Sequence, residues 1–419
     1  MLIFILNKHG KPLMPCSPRQ ARLLLKKNLA KVIQRTPFTI KLLHGSSGYK
    51  QKIIAGMDTG SKTIGCAAIA NNTVLYQSEV AIRQDISKKM QQRSMFRRTR
   101  RSRKLRYRQT RFNNRKNSLK LNRLPPSIKS KINSHLREKN FIESILPITK
   151  WIIELASFDI HKITNPQVSG SEYQQGKQLG YYNVKQYVLH RDGYKCQSGI
   201  KVKHNNKLQV HHIIYQSNGG NDAPDNLITL CKDCHSNLHK GVFSIKSKIA
   251  KTQHATQVSI IKSQLAKELT KFEITFGYET KFKREGMGLL KTHANDAIAI
   301  CCNIDDKIKV DDTIYYKKHI AKGDYQQTCG SHSEKRIPTG KLFGLRKFDL
   351  VKTNKGIGFI KGKRSSGYFA LMNIDGSKIN DVVNVKKDCI RLAARTTTII
   401  SRKAAFPPRP EGRGFHAEV

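Results

Sequence analysis

Acid is what this sequence has least of for its size. In 419 residues, 29 Asp and Glu stand against 78 Lys and Arg, a formal net charge of +49. A compact chain with that surplus repels itself unless a polyanion sits on it. Nucleic acid is the natural partner, because each neutralised phosphate releases counterions. An anionic membrane is the rival, but the sequence offers no long basic helix with an apolar face. Apolar residues are also scarce at 38%, below the usual globular share. No apolar run approaches the roughly 18 residues that cross a bilayer. The first residues, MLIFILNKHGK, have an apolar start but no basic leader and no cleavage site, so they read as strand and turn rather than a signal peptide. The nine cysteines follow no regular framework, which argues against a disulfide scaffold and for a reducing, cytoplasmic setting.

The length allows two or three domains with ordinary cores. Residues 1–48 read as a small α+β module. It has a strand at Leu2–Leu6, a turn, a helix that Ser17 caps with Pro18 at its first position, and a basic strand at Lys31–Leu43. Residues 53–85 hold three short strands, IIAGMD, TIGCAAIA and TVLYQSEV, with Asn71-Asn72 as a hairpin turn. Residues 86–124 are dominated by a run with 14 Lys or Arg in the 29 positions 88–116 and no acid. Like charges on all faces oppose a free helix, so the expectation is a helix completed by nucleic acid, ended by Pro125-Pro126. Its contacts would be Arg93, Arg97, Arg98, Arg100, Arg101, Arg103, Arg106, Arg108 and Arg111. A solvated charge run is the plainer alternative. Residues 141–180 contain an apolar strand, KWIIELASFDI, and 181–245 form a His- and Cys-rich unit. Residues 246–305 read as a helix, a strand at Phe272–Tyr278, a basic loop and a helix from near Thr292. The Gly-punctuated 306–401 reads as a small β-rich domain, and 402–419 as a disordered tail.

Two constellations carry chemistry. His211 and His212 are adjacent, so on a strand they point to opposite sides. His235 and His239 are four apart, so on a helix they share a face and can ligate one metal. Cys196, Cys231 and Cys234 lie nearby. The second constellation is scattered. Asp58 ends a glycine-rich first strand, Glu154 sits in an apolar strand where a lone acid is costly, and His293 and Asp296 are three apart at a helix start. Each has an ordinary reading singly, as a turn, a paired acid or a helix cap.

The segment with HHI, a Gly-Gly turn, DNL and LCKDCHSNLH resembles the HNH (ββα-metal) nucleases. That resemblance implies His212 as general base, and His211 with one or both of His235 and His239 as ligands of a catalytic Mg²⁺ (or Mn²⁺), with Asn226 orienting the base or finishing the site. Many members bind a structural Zn²⁺ through two Cys-x-x-Cys pairs. Here Gly199 replaces the partner of Cys196, so either His204 supplies the fourth ligand or no zinc binds. Asp58, Glu154 and Asp296, in that order with His293, resemble the three RuvC segments of an RNase H-like fold, which implies metal-binding carboxylates and a histidine that ligates or activates water.

The whole order is similar to IscB, a family of transposon-associated nucleases: a PLMP module, RuvC-I, an Arg-rich bridge helix with RRTRR, RuvC-II with EYQQG, an inserted HNH, RuvC-III with KTHANDA, and a β-rich end. The resemblance implies an α+β and α/β multidomain protein with a split RNase H-like core. It also implies a monomeric partner of a guide RNA encoded near the gene, acting on double-stranded DNA. HNH would cut the guide-paired strand and RuvC the displaced strand, while the C-terminal domain would read a motif beside the target. Size agrees: such a chain is roughly 55 Å across, while a guided heteroduplex is on the order of 65 Å long, so RNA must form much of the scaffold. An unguided HNH/RuvC nuclease and a non-catalytic basic nucleic-acid-binding protein are the alternatives.

Overall fold

A computed structural model describes residues 2–45, 47–102, 123–155, 167, 169, 180–200, 203–216, 220, 222–245, 253–269, 271–310, 313–323, 326–327, 334–335, 342–364, 366–384 and 389–404. The chain forms two compact units: Met1–Ser157 with Gln257–Val419, and Phe158–Thr256 inserted between them in sequence.

The first unit begins with β1 (Phe4–Leu6), α1 (Pro18–Lys26), β2 (Ala30–Gln34) and β3 (Thr39–Leu42), a three-stranded sheet in the order β1-β3-β2. Ser17 accepts the Gln20 N–H and Pro18 opens α1, as a helix start requires. Next come β4 (Ile54–Asp58), β5 (Thr63–Ala70), β6 (Thr73–Ala81), α2 (Ile86–Ser102), α3 (Pro126–Ile145) and β7 (Lys150–Glu154). Asn71 and Asn72 both take positive φ, 45° and 58°, in the β5–β6 turn, the geometry of a tight hairpin.

The inserted unit holds α4 (Val184–Arg191), β8 (Leu208–His212), β9 (Leu227–Cys231) and α5 (Lys232–His239), with β8 and β9 antiparallel. The chain then returns to the first unit within α6 (Gln253–Glu268), followed by β10 (Glu273–Thr275), α7 (Gly277–Gly286), α8 (His293–Cys301) and β11 (Thr313–His319). A short ladder, β12 (Gln326–Gln327) with β13 (Glu334–Lys335), precedes β14 (Leu350–Thr353), β15 (Gly356–Lys363), β16 (Tyr368–Met372), β17 (Lys378–Asn384), β18 (Ile390–Ala393) and β19 (Thr398–Ala404).

The main sheet has seven strands in the order β10-β7-β4-β5-β6-β11-β19. β4, β5 and β6 form an antiparallel meander, β7 pairs parallel to β4, and β10 pairs parallel to β7. The period-two alternation of β5 splits its side chains between two cores. Ile64, Cys66 and Ala68 join Ile142, Ile145 and Trp151 on one face; Ala67 and Ile69 meet Ala297, Ile298 and Cys301 of α8 on the other. Helix α8 lies so close that a Cβ on Gly65 would sit 1.8 Å from the His293 carbonyl oxygen, and one on Gly56 would sit 2.5 Å from that of Ala297. Those two glycines therefore set where α8 begins against the sheet.

On the opposite face the core contains a charge pair. Lys317 Nζ is 2.6 Å from Glu138 Oε1, which also accepts from Tyr76 Oη at 3.0 Å and Ser78 Oγ at 3.1 Å. Burial pulls the Lys317 amine down and Glu138 pushes it back up. Satisfying the carboxylate three times over is what makes such a buried pair tolerable.

Three expectations are corrected, and one helix is added. Only Glu273–Thr275 of Phe272–Tyr278 is strand, and the basic loop after it is helix α7. Glu279 accepts from Thr275 Oγ1 at 2.7 Å and from the Phe276 N–H at 3.3 Å, which starts the helix despite its lysines. Pro126 is the first residue of α3, a helix the basic run concealed; the residues where the Arg-rich helix was expected to end, 103–122, lie outside the described residues. Residues 306–401 are not one separate β domain, because β11 and β19 complete the main sheet; β14–β18 make their own five-stranded sheet around Val351, Ile360, Phe369 and Leu371. Arg402 does not begin a tail, since β19 runs on to Ala404, paired with Thr313. Residues 405–419 lie outside the described residues, as does EYQQG (172–176).

In the Arg-rich segment, α2 is helical to Ser102, and Arg93, Arg97 and Arg98 are exposed along it. Arg100 and Arg101 fall in its last turn, while Arg103, Arg106, Arg108 and Arg111 lie outside the described residues. Among the described residues, no helix is long and apolar enough to cross a membrane.

Candidate metal centres

The inserted unit gathers three imidazoles. His211 ends β8, and His235 and His239 come from one face of α5. Their ring centroids lie 4.6–5.0 Å apart, and one nitrogen from each falls within 4.8 Å of the others. Burial, then the neighbouring His235 and His239, hold His211 down to about 4. Burial and His239 lower His235 as well. Neutral imidazoles converging on one point are the donor set a divalent cation needs, so this triad fits an ion.

His212 borders the same cavity of about 320 Å³ and also a second, of about 470 Å³, lined by Lys185, Asp222 and His235. Its Nε2 is 2.7 Å from Asp222 Oδ1, and Gln216 Nε2 donates to the same oxygen at 2.8 Å. Asp222 was invisible in the sequence reading because no fixed spacing ties it to His212. Asn226 bonds the backbone two residues past His212. It is buried, accepts the Ile214 N–H at 2.8 Å and donates to the Ile214 carbonyl at 3.0 Å, pinning the turn that follows the histidine pair.

A second donor group lies at the other end of β9. Cys196, His204, Cys231 and Cys234 place four ligand atoms within 4.8 Å of one another. His204 Nδ1 is 3.7 Å from Cys231 Sγ and 3.6 Å from Cys234 Sγ. A tetrahedral ion with Zn–S of about 2.3 Å and Zn–N of about 2.0 Å sets S···N at about 3.5 Å. Burial raises the Cys231 thiol, but the Cys234 and Asn205 backbone and His204 draw it down to about 6. The residues therefore fit zinc as a Cys₃His site. Gly199, at φ +71°, stands three residues after Cys196, where a Cys-x-x-Cys pair would carry its second thiol.

In the first unit the acids share one rung of the main sheet. Glu154 pairs with Asp58, Asp58 with Gly65, and Gly65 with Glu79, so their side chains issue from one face. Helix α8 begins over Gly65 and brings His293 and Asp296. His293 Nδ1 is 2.6 Å from Asp58 Oδ2, and that bond pushes the imidazole up. Burial, then Asp58, raises Glu154 to about 7, with Thr280 drawing it back. Burial and Asp58 raise Asp296 too; Arg284 Nε lies 2.8 Å from its Oδ1, off the hydrogen-bond axis, an ionic contact. These atoms are spread more widely than the histidine triad. Mutual repulsion among partly buried carboxylates is what a divalent cation relieves, so this site also fits metal. Glu79, which accepts the Ala294 N–H at 3.3 Å, is an acid the sequence reading did not single out.

Comparison with known proteins agrees with the first reading of the inserted unit. The model of the RRXRR protein family matches residues 3–176, and that of HNH endonucleases matches residues 195–241. Anaredoxin from Nostoc sp. is 32% identical over 71 residues, 17% of this chain and 91% of that protein. The type IV methyl-directed restriction enzyme EcoKMcrA from Escherichia coli is 53% identical over 32 residues, 8% of this chain and 12% of that enzyme. The chain therefore carries an HNH endonuclease domain, with an RRXRR region ahead of it.

Proposed function

We propose that the chain is an RNA-guided endonuclease of double-stranded DNA with two independent sites, of the IscB kind. The observation that carries this is the second site: acids and a histidine from Asp58 to Asp296 meet at one rung, in a chain that already holds an HNH domain. The sheet order supports an RNase H-like core, with a meander β4-β5-β6 extended by parallel β7 and β10. A cavity of about 1010 Å³ in the first unit, bordered by Arg83, Arg123, Lys129, Arg137 and Lys322, supports a polyanionic partner. The exposed Arg93, Arg97 and Arg98 of the bridge helix do the same.

In the HNH domain, His211, His235 and His239 would hold one Mg²⁺-like ion. His212 is the base for the attacking water: Asp222 occupies Nε2, which leaves Nδ1 to take the proton. Asn226 holds the turn that fixes His212 in place. In the first unit, Asp58, Glu154 and Asp296 would hold the divalent ions, and His293 would orient or deprotonate water beside Asp58. When bound, the ions supply Lewis acidity to the scissile phosphate and its leaving oxygen.

The test has two arms. RNA co-purified with the chain from its native locus is sequenced, and Mg²⁺-dependent cleavage of plasmid bearing the matching target is mapped strand by strand. A discrete long RNA and one cut per strand are expected. Cleavage without any such RNA points instead to an unguided HNH/RuvC nuclease, and inertness with RNA and metal supplied points to a binding protein.

A further inference from the structure

The turn between β10 and α7 carries aromatic residues that neither metal site uses. Phe276 and Tyr278 flank Gly277, their rings 7° from parallel with centroids 6.1 Å apart. Tyr278 is 72% exposed, Phe282 one turn along α7 is 70% exposed, and Phe276 is 40% exposed. Large rings left together in water mark a binding surface more often than a structural one. Tyr278 is also held in place. Its hydroxyl donates to Glu279 Oε1 at 3.2 Å, while Glu279 Oε2 accepts from Thr275 and from the Phe276 N–H. A ring fixed before it binds loses little freedom on binding.

The location gives the surface its meaning. A Cβ on Gly277 would lie 3.0 Å from Glu154 Oε1. The residue between the two rings thus lies beside the carboxylate of the acidic rung. Exposed Lys281 follows on the same helix. An aromatic platform, a lysine and a metal-type acid cluster in one short stretch match the parts of one nucleotide: base, phosphate and scissile bond. Every base has a π-face, so stacking serves a site that must accept any sequence.

We propose that Phe276 and Tyr278 form a stacking platform for a nucleobase of the single DNA strand delivered to the Asp58–Glu154 site. This rests on the reading that the acidic rung cuts a single strand. The platform holds the base, and so sets the phosphate register beside Glu154.

The experiment uses the full chain in EDTA with single-stranded DNA carrying 2-aminopurine, whose fluorescence changes on stacking. Tyr278→Ala should remove the fluorescence change at the responsive position and weaken binding roughly 5- to 100-fold. The dependence of affinity on salt should stay the same, because no phosphate contact is lost. Tyr278→Phe, which keeps the ring, should restore both. Tyr278 is exposed, and equal thermal melts check that the fold is intact. Unchanged fluorescence and affinity in Tyr278→Ala, or a shallower salt dependence, overturns the proposal. Strand mapping with Asp58→Ala separates the two readings. If both strands are still cut while Tyr278→Ala loses the signal, the acidic rung is not the nuclease and the platform stands. If Asp58→Ala removes one cut while Tyr278→Ala binds as before, the rung stands and the platform falls.

Discussion

His293 Nδ1 lies 2.6 Å from Asp58 Oδ2, although 235 residues separate them. The contact exists because α8 starts directly over Gly65, the rung neighbour of Asp58. On the proposed reading, Asp58→Ala should leave the guide-paired strand cut and reduce cleavage of the displaced strand at least about 100-fold. His293→Asn should reduce the same cut by about 100-fold. Strand-resolved gels measure both. Loss of both cuts from either change would show that the sites are not independent.

The partner of His212 is Asp222, through Nε2 at 2.7 Å. On the proposed reading, His212→Ala should reduce cleavage of the guide-paired strand by more than about 100-fold. Asp222→Asn keeps an oxygen at the same place but removes the charge, and should cost roughly 10- to 100-fold on that strand alone. An effect of Asp222→Asn on the displaced strand would contradict this role.

The Cys₃His group predicts one zinc per chain, measured by elemental analysis of the purified protein. His204→Ala should lower that stoichiometry and the melting temperature of the inserted unit. A bound Zn²⁺ contributes folding energy outright in such small modules. Full zinc content in His204→Ala would remove His204 from the ligand set.

Gly65→Ala tests the seat of α8. A methyl group there meets the His293 carbonyl oxygen at 1.8 Å, a clash that backbone must move to relieve. A loss of several kcal/mol in stability is expected, on the order of 3 or more. In the fraction that still folds, cleavage at the acidic rung should suffer before cleavage at the HNH domain. A variant with wild-type melting and wild-type cleavage would mean that α8 is not held against the sheet as described.

Buried His319 has neither ring nitrogen hydrogen-bonded, and burial, then Arg137, holds it down to about 4. Its unfolded value is about 6.5, so the unfolded chain binds the extra proton first. Stability from this group is complete above pH 6.5 and is lost as pH falls from there to about 4, by roughly 3 kcal/mol at full effect. His319→Leu should flatten that part of the acid-stability curve measured by denaturant titration. An unchanged slope would mean that His319 is not buried neutral.

The inserted site was legible because its chemistry is local. His235 and His239 share a helix face by spacing alone, and adjacent His211 and His212 part on a strand. Asp222 and His204 were harder, since loop geometry and not periodicity brings them in. The acidic rung was legible only as residues in order, because pairing Glu154 with Asp58 is a property of sheet register. Charge hid the rest. The lysines of α7 read as loop, and the basic run before Pro126 read as ending in a stop where a second helix begins. Strands β11 and β19 were misassigned because nothing in a single strand says which sheet it will join.

The insertion leaves the main sheet after β7 and returns at β10, and these strands are neighbours, with Thr275 paired to Glu154. The order of synthesis follows from that. The ribosome makes β8, β9 and α5 complete before it makes β10, α7 or α8. A chain halted just past Thr256 owns every residue of the inserted unit but neither His293 nor Asp296. On the proposed reading, an unfinished or C-terminally clipped molecule is at most a nicking enzyme, and the second cut is confined to chains that have been made well beyond the insertion.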